Sequence, residues 1–244
     1  MNLLSSDVGL DVSLVILGTI LLYYVYYYST NSELSGLINR NTKSRTRNEV
    51  ILFLFKKCTG FLVLGLIPGF LYQFFLHKNF EEFGLTSSHL VENLPVILLL
   101  MSIVIVVVFL NQRFNKENNS LQMNISEWSF SLFLINCFGW GIYLVAYEFL
   151  FRGILLTECY SSFGFWPAIA INVALNSAIH MVSGKDQTFG AIIFSGVACF
   201  FAISRETILI PIAMHISMSL FSDYFSIIYN KQLRFSKIKS NKLF

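Results

Sequence analysis

Charge is what this sequence has least of. Asp, Glu, Lys and Arg make up 13% of its 244 residues, about half the share found in an ordinary soluble domain. Hydrophobic residues account for 55%, and mean hydropathy is +0.63. A water-soluble fold of this length could not hide so much apolar surface behind so few charges, which excludes the soluble enzyme and binding-module classes. Cysteine is sparse too. Cys58, Cys137, Cys159 and Cys199 stand far apart with no CxxC pair and no Cys/His metal spacing, so neither a zinc ribbon nor a disulfide framework has support. They read as small apolar packing residues. The basic start of a cleavable signal peptide is also missing. Asp7 and Asp11 precede the first apolar run and no A-x-A site follows it, so the first helix is expected to remain as a span.

The cations that do occur are grouped. Arg40, Lys43, Arg45, Arg47, Lys56 and Lys57 follow the first apolar segment, and Lys231, Arg234, Lys237, Lys239 and Lys242 occupy the tail. Juxtamembrane cations of this kind follow the positive-inside bias, and no nucleic-acid partner is expected.

What the chain has in abundance is apolar runs near the length that crosses a bilayer, about 20 residues. Seven can be placed: about Val12–Tyr28, Cys58–Phe75, Leu94–Leu110, Trp128–Tyr160, Phe165–Val182, Thr188–Ser204 and Thr207–Tyr229. The first ends in Tyr23, Tyr24, Tyr26, Tyr27 and Tyr28, which suits the headgroup interface. The fourth, as one helix, would reach about 50 Å against a hydrocarbon core of roughly 30 Å. It must tilt, protrude or break, with a kink expected at Gly139 or Gly141. With the first basic loop inside, Arg113, Lys116, Lys185 and the tail also fall inside, while Asp7, Asp11, Glu81, Glu82, Glu92 and Glu206 fall outside. The expected fold is therefore an all-α integral membrane protein. About seven transmembrane helices form one bundle, with the N-terminus outside and the C-terminus cytoplasmic.

Against this apolar background a few polar groups stand out. Span four carries Tyr143, Tyr147, Glu148 and Arg152; span five carries Asn172, Asn176 and His180 at four-residue spacing; span seven carries His215, Ser219, Ser222 and Asp223. Glu148 and Arg152, four apart, lie one above the other on a helix face. An ionisable group at mid-membrane costs roughly 2.5–3.5 kcal/mol and marks a functional site by default. Counted from the outer helix ends, Glu148 lies about 18 Å deep, His180 about 22 Å, His215 about 12 Å and Ser219 about 18 Å. Asn172 and Ser222 read as interhelical glue. A carboxylate beside a neutral imidazole can hold and deprotonate a water, and a second His with a nearby hydroxyl or amide can donate to a developing oxyanion. A zinc ion on Glu148, His180 and His215 is the weaker alternative, since HExxH spacing is absent; no cofactor is otherwise expected.

In order and spacing these residues resemble the CPBP family of intramembrane proteases (CAAX prenyl endopeptidase and bacteriocin-processing enzymes, formerly Abi). That family carries E-E-x-x-x-R, F-x-x-x-H and H-x-x-x-N on successive membrane helices. Here the motifs read Tyr147-Glu148-Phe149-Leu150-Phe151-Arg152, Asn176-Ser177-Ala178-Ile179-His180 and His215-Ile216-Ser217-Met218-Ser219. The resemblance spans about Trp128–Tyr229. It implies a catalytic core of four helices over 128–230, beside the three N-terminal helices with a basic cytoplasmic loop over 1–127 and the basic tail over 231–244 that the apolar runs and charges give. It further implies a peptidase of a bacterial plasma membrane acting on a membrane-associated peptide or protein. Glu148, His180, His215 and Ser219 would be catalytic, with Tyr147, Arg152 and Asn176 in support. The first motif glutamate, to which the family assigns water activation, is Tyr147 here. Two readings stay open: Glu148 takes over as base, oriented by Arg152 and helped by the Tyr147 hydroxyl, or the chain is an inactive scaffold or bacteriocin-immunity protein.

Overall fold

The computed structural model describes residues 7–31, 44–114, 121–230 and 233–235. Arg40, Lys43, Lys116, Lys231, Lys237, Lys239, Lys242 and the Asp7 side chain lie outside the described residues. Apolar runs with few breakers fold as helices because a backbone out of water must satisfy its polar groups within its own segment. The helices are α1 (Asp7–Asn31), α2 (Arg45–Phe61), α3 (Ile67–Leu76), α4 (Leu90–Phe114), α5 (Phe130–Glu148), α6 (Leu156–Phe163), α7 (Phe165–His180), α8 (Lys185–Ser204) and α9 (Leu209–Tyr229). Two π-helical segments, Leu62–Leu66 and Phe149–Leu155, join α2 to α3 and α5 to α6 without a break. The strand pairing among the described residues is one parallel contact of Glu127–Trp128 with Arg234–Phe235.

Among the described residues, six stretches are long and apolar enough to cross a membrane: Gly9–Asn31, Arg45–Leu76, Leu90–Phe114, Phe130–Phe163, Phe165–Ser183 and Lys185–Ser204. The expected seventh, α9, has 21 residues and is about 32 Å long. It falls short in apolarity because it carries His215, Ser217, Asp223 and Ser226, all buried within the bundle. It packs along α4 and α5 and also touches α8, while α7 pairs with α6 and α8, and α1 lies against α6 and both π segments. The main apolar cluster draws Val12 and Val15 from α1, Leu64 from the first π segment and Leu150, Ile154 and Leu155 from the second. Residues on either side of position 127 thus share one interior.

Three local expectations change. The second span starts at Arg45, not near Cys58, so Lys57 is no loop cation; it sits inside the span, 1% exposed. The fourth run does not break at its glycines: α5 is continuous past Gly139 and Gly141, and the helix changes register only after Glu148. Gly139 serves close approach instead, since a Cβ there would lie 2.4 Å from Phe53 Cε1. The tyrosines ending α1 divide. Tyr24 and Tyr28 are 55% and 68% exposed, as an interfacial belt requires, whereas Tyr23, Tyr26 and Tyr27 line an internal cavity. Gly164 and Gly184 take positive φ at the turns that end α6 and precede α8, where a side chain would be strained.

α2 and α5 run in the same direction, with Phe53 and Lys57 beside Gly139 and Gly65 beside Ala146. At Gly65 a Cβ would meet the Ala146 Cβ at 2.7 Å. Gly65→Val is therefore expected to cost about 1–3 kcal/mol through overpacking, seen as a lower melting temperature of the purified protein in detergent. Unchanged melting would contradict the contact.

Candidate active site

Tyr147, Glu148, Arg152, Asn176 and His215 converge where α5 passes into its π segment, while Asp223 lies farther along α9. π turns shift the backbone hydrogen bonds from i+4 to i+5 and occur often at functional sites; all seven residues of Phe149–Leu155 are buried. Asn172 donates from Nδ2 to the Phe151 carbonyl and accepts from Cys199 Sγ at 3.3 Å, which ties the segment to α7 and α8. The loop after α3 closes the bundle beside the start of α9. Phe83 is fully buried, Gly84 O accepts from Ile208 N at 2.9 Å, and Lys78 pairs with Glu158.

Glu148 is at the centre, 0% exposed. Its Oε1 is hydrogen-bonded to His215 Nδ1 from α9, and its Oε2 lies 3.3 Å from Arg152 Nη1. Arg152 in turn donates from Nη2 to Ser195 Oγ at 2.9 Å and from Nη1 to Asn176 Oδ1 at 3.5 Å. The same Asn176 oxygen accepts from the Tyr147 hydroxyl. Tyr147 therefore spends its proton on Asn176, and its ring meets the His215 imidazole edge-on with centroids 5.6 Å apart. Phe194 holds the imidazole from another side, 4.9 Å between centroids. Two opposite charges buried side by side are tolerated here because each is held by hydrogen bonds from neighbouring helices.

Beside this cluster lies a cavity of about 490 Å³. His180, His215, Ser219 and Tyr147 line one end, and Tyr23, Tyr26, Tyr27, Trp140 and Tyr143 line its length. It reaches the ends of α1 and α2 and the neighbouring loops, where the exposed Asn31, Gln122 and Gln187 border it. Glu148 and Arg152 are not among its lining residues; they stand behind His215. The imidazole bonds to Glu148 through Nδ1, so Nε2 is the ring nitrogen left to meet the cavity. The His180 side chain has no hydrogen bond among the described residues and faces the same space.

The structure thus joins Glu148, Arg152, Asn176, Tyr147 and His215 in one network, with His180 and Ser219 lining the same cavity as His215. Among the described residues no three His, Cys, Asp or Glu side chains are grouped to hold a metal ion. Glu148, His180 and His215 are therefore not grouped as a zinc donor set. Ser195, which anchors Arg152, was not foreseen. Its one sequence signal is a small hydroxyl in an otherwise apolar helix beside Gly196.

Breaking the buried pair from one side should be severe. Arg152→Met leaves Glu148 without its guanidinium, at a cost of about 3–5 kcal/mol in stability. The double variant Glu148→Gln/Arg152→Met should recover most of that loss in a detergent melting experiment. Equal melting of the single variant and wild type would contradict the pairing.

Residues 126–221 match the family model described as Type II CAAX prenyl endopeptidase Rce1-like. That interval contains every residue of the network. No curated protein and no solved structure matches the chain.

Proposed function

With residues 126–221 recognised as an Rce1-like segment of the CAAX prenyl endopeptidase (CPBP) family in an integral membrane protein, we propose that the chain is an intramembrane endopeptidase. Its substrate is a membrane-associated peptide or protein and its nucleophile is water. One observation carries the reading: His215 is fixed through Nδ1 by a fully buried carboxylate and borders the cavity. A carboxylate that holds an imidazole in one tautomer makes the other nitrogen a base and stabilises the imidazolium that forms.

The roles then divide differently from the simplest expectation. His215 Nε2 takes a proton from water, and the hydroxide adds to the peptide carbonyl carbon. The carbonyl π electrons move to oxygen, where the His180 imidazole and the Ser219 hydroxyl donate to the oxyanion. When the C–N bond breaks, His215 returns the proton to the leaving amine, so one water is consumed per bond cut. Glu148 is a positioning residue, held by Arg152, which Asn176 and Ser195 hold in turn. Tyr147, standing where the family carries its first glutamate, orients Asn176 and His215 and does not act as base.

The orientation that suits the charges places the loop after α1 and the tail on the cytoplasmic side of a bacterial plasma membrane, the setting carried over from the family resemblance. The polar end of the cavity then opens to the cytoplasm.

The test uses purified protein in liposomes with a peptide library. His215→Ala and Glu148→Gln should each lower kcat by about 10²–10⁴-fold, and His180→Ala and Ser219→Ala by smaller factors. Cleavage that survives His215→Ala would overturn the assignment. A stable wild type that cuts nothing would instead favour the inactive scaffold or immunity protein.

A further inference from the structure

A second pair of opposite charges is buried in this bundle, and the hydrolytic scheme does not use it. Lys57 on α2 is 1% exposed and Asp223 on α9 is 2% exposed. Lys57 lies within the span Arg45–Leu76 and Asp223 on the face of α9 that is buried against its neighbours. The ammonium lies 3.0 Å from the centroid of the Trp140 ring, 4.4 Å from that of Tyr143 and 5.4 Å from that of Phe53. Asp223 Oδ2 accepts from Trp140 Nε1 at 2.8 Å and from Asn136 Nδ2 at 2.9 Å. One indole therefore meets the cation with its π face and the carboxylate with its N–H edge, the two contacts its charge distribution favours.

This tier stands at a fixed offset from the first. Trp140 precedes Glu148 by eight residues on α5 and Asp223 follows His215 by eight on α9, about 12 Å of helix in each case. An unbroken series of ring contacts joins the two tiers. Trp140 to Tyr143 is 6.1 Å between centroids, Tyr143 to Tyr147 is 5.9 Å, and Tyr147 to His215 is 5.6 Å. Trp140 and Tyr143 also form wall of the cavity. A buried charge pair is weak as a source of stability, since apolar residues of similar volume do as well or better. Its retention around a cavity-wall indole calls for another reason.

We propose that Lys57 and Asp223 are positioning residues for the substrate cavity: together they fix Trp140 and Tyr143 as the wall against which the peptide lies. The kinetic part of this proposal rests on the endopeptidase reading; the structural part does not.

The experiment separates the two. In a Trp166→Phe background, which removes the outward-facing indole (74% exposed) and leaves Trp128 shielded (0% exposed), acrylamide quenching reports on Trp140. The double variant Lys57→Met/Asp223→Asn removes both charges. It is expected to melt near wild type, to shift tryptophan emission and to increase quenching. Against the peptide library its KM should rise about tenfold, equivalent to about 1.4 kcal/mol, with kcat little changed. Lys57→Arg, which keeps a cation over the rings, should restore KM and quenching. If the double variant does not fold, Asp223→Asn alone keeps an acceptor for the indole and should still increase quenching. Emission and quenching identical to wild type in these variants would overturn the proposal whether or not any peptide is cut. Changed quenching with no cleavage by wild type would overturn the endopeptidase reading and leave the positioning role standing.

Discussion

A carboxylate with no access to water can remain charged in this bundle only if a cation and hydrogen-bond donors are brought against it, and the site is built on that constraint. Glu148 is met by Arg152 along its own helix and by His215 from α9. Arg152, equally buried, needs Ser195 from α8 and Asn176 from α7. Asn176 then takes the proton of Tyr147. The network reaches the cavity through His215, while Glu148 Oε2 and Arg152 Nε stay buried without a hydrogen bond. Such orphaned atoms are costly in a low-dielectric interior, and the ion pair between their groups offsets part of that cost. The arrangement therefore fixes four helices relative to one another and turns His215 Nε2 to the cavity.

The same logic recurs at the Lys57 tier by other means. There the cation is answered by aromatic faces and the carboxylate by an indole and an amide. The two tiers share α5 and α9, with tyrosine rings between them. Helix α1, outside the interval matched by the family model, closes the cavity with Tyr23, Tyr26 and Tyr27. The buried network thus lies within the family segment, while much of the cavity wall belongs to helices outside it.

Much of the first tier was legible in the sequence, because helical spacing and depth depend only on position along each run. Glu148 with Arg152 and the Asn172–Asn176–His180 stripe could be placed by counting. What counting could not show was direction across helices: Glu148 turns to His215 and away from the cavity, a result of how α5 and α9 face each other. Lys57 was misread because it follows Lys56 beside a basic loop, and nothing local reveals that Trp140, 83 residues ahead of Asp223, offers it a face. The glycines misled in a similar way. Gly139 looked like a hinge, but its missing side chain makes room for Phe53 and Lys57. The register change falls instead at Phe149–Leu155, in a stretch whose composition is that of any apolar helix.

The central claim is that Glu148 fixes the tautomer of His215 so that Nε2 is the base. Nitrogen NMR of protein labelled at histidine tests it most directly, with the His215 signals identified by their loss in His215→Ala. The account predicts a protonated Nδ1 and a bare Nε2 in wild type, and loss of that fixed tautomer in Glu148→Gln. A bare Nδ1 in wild type, or signals unmoved by Glu148→Gln, would contradict it.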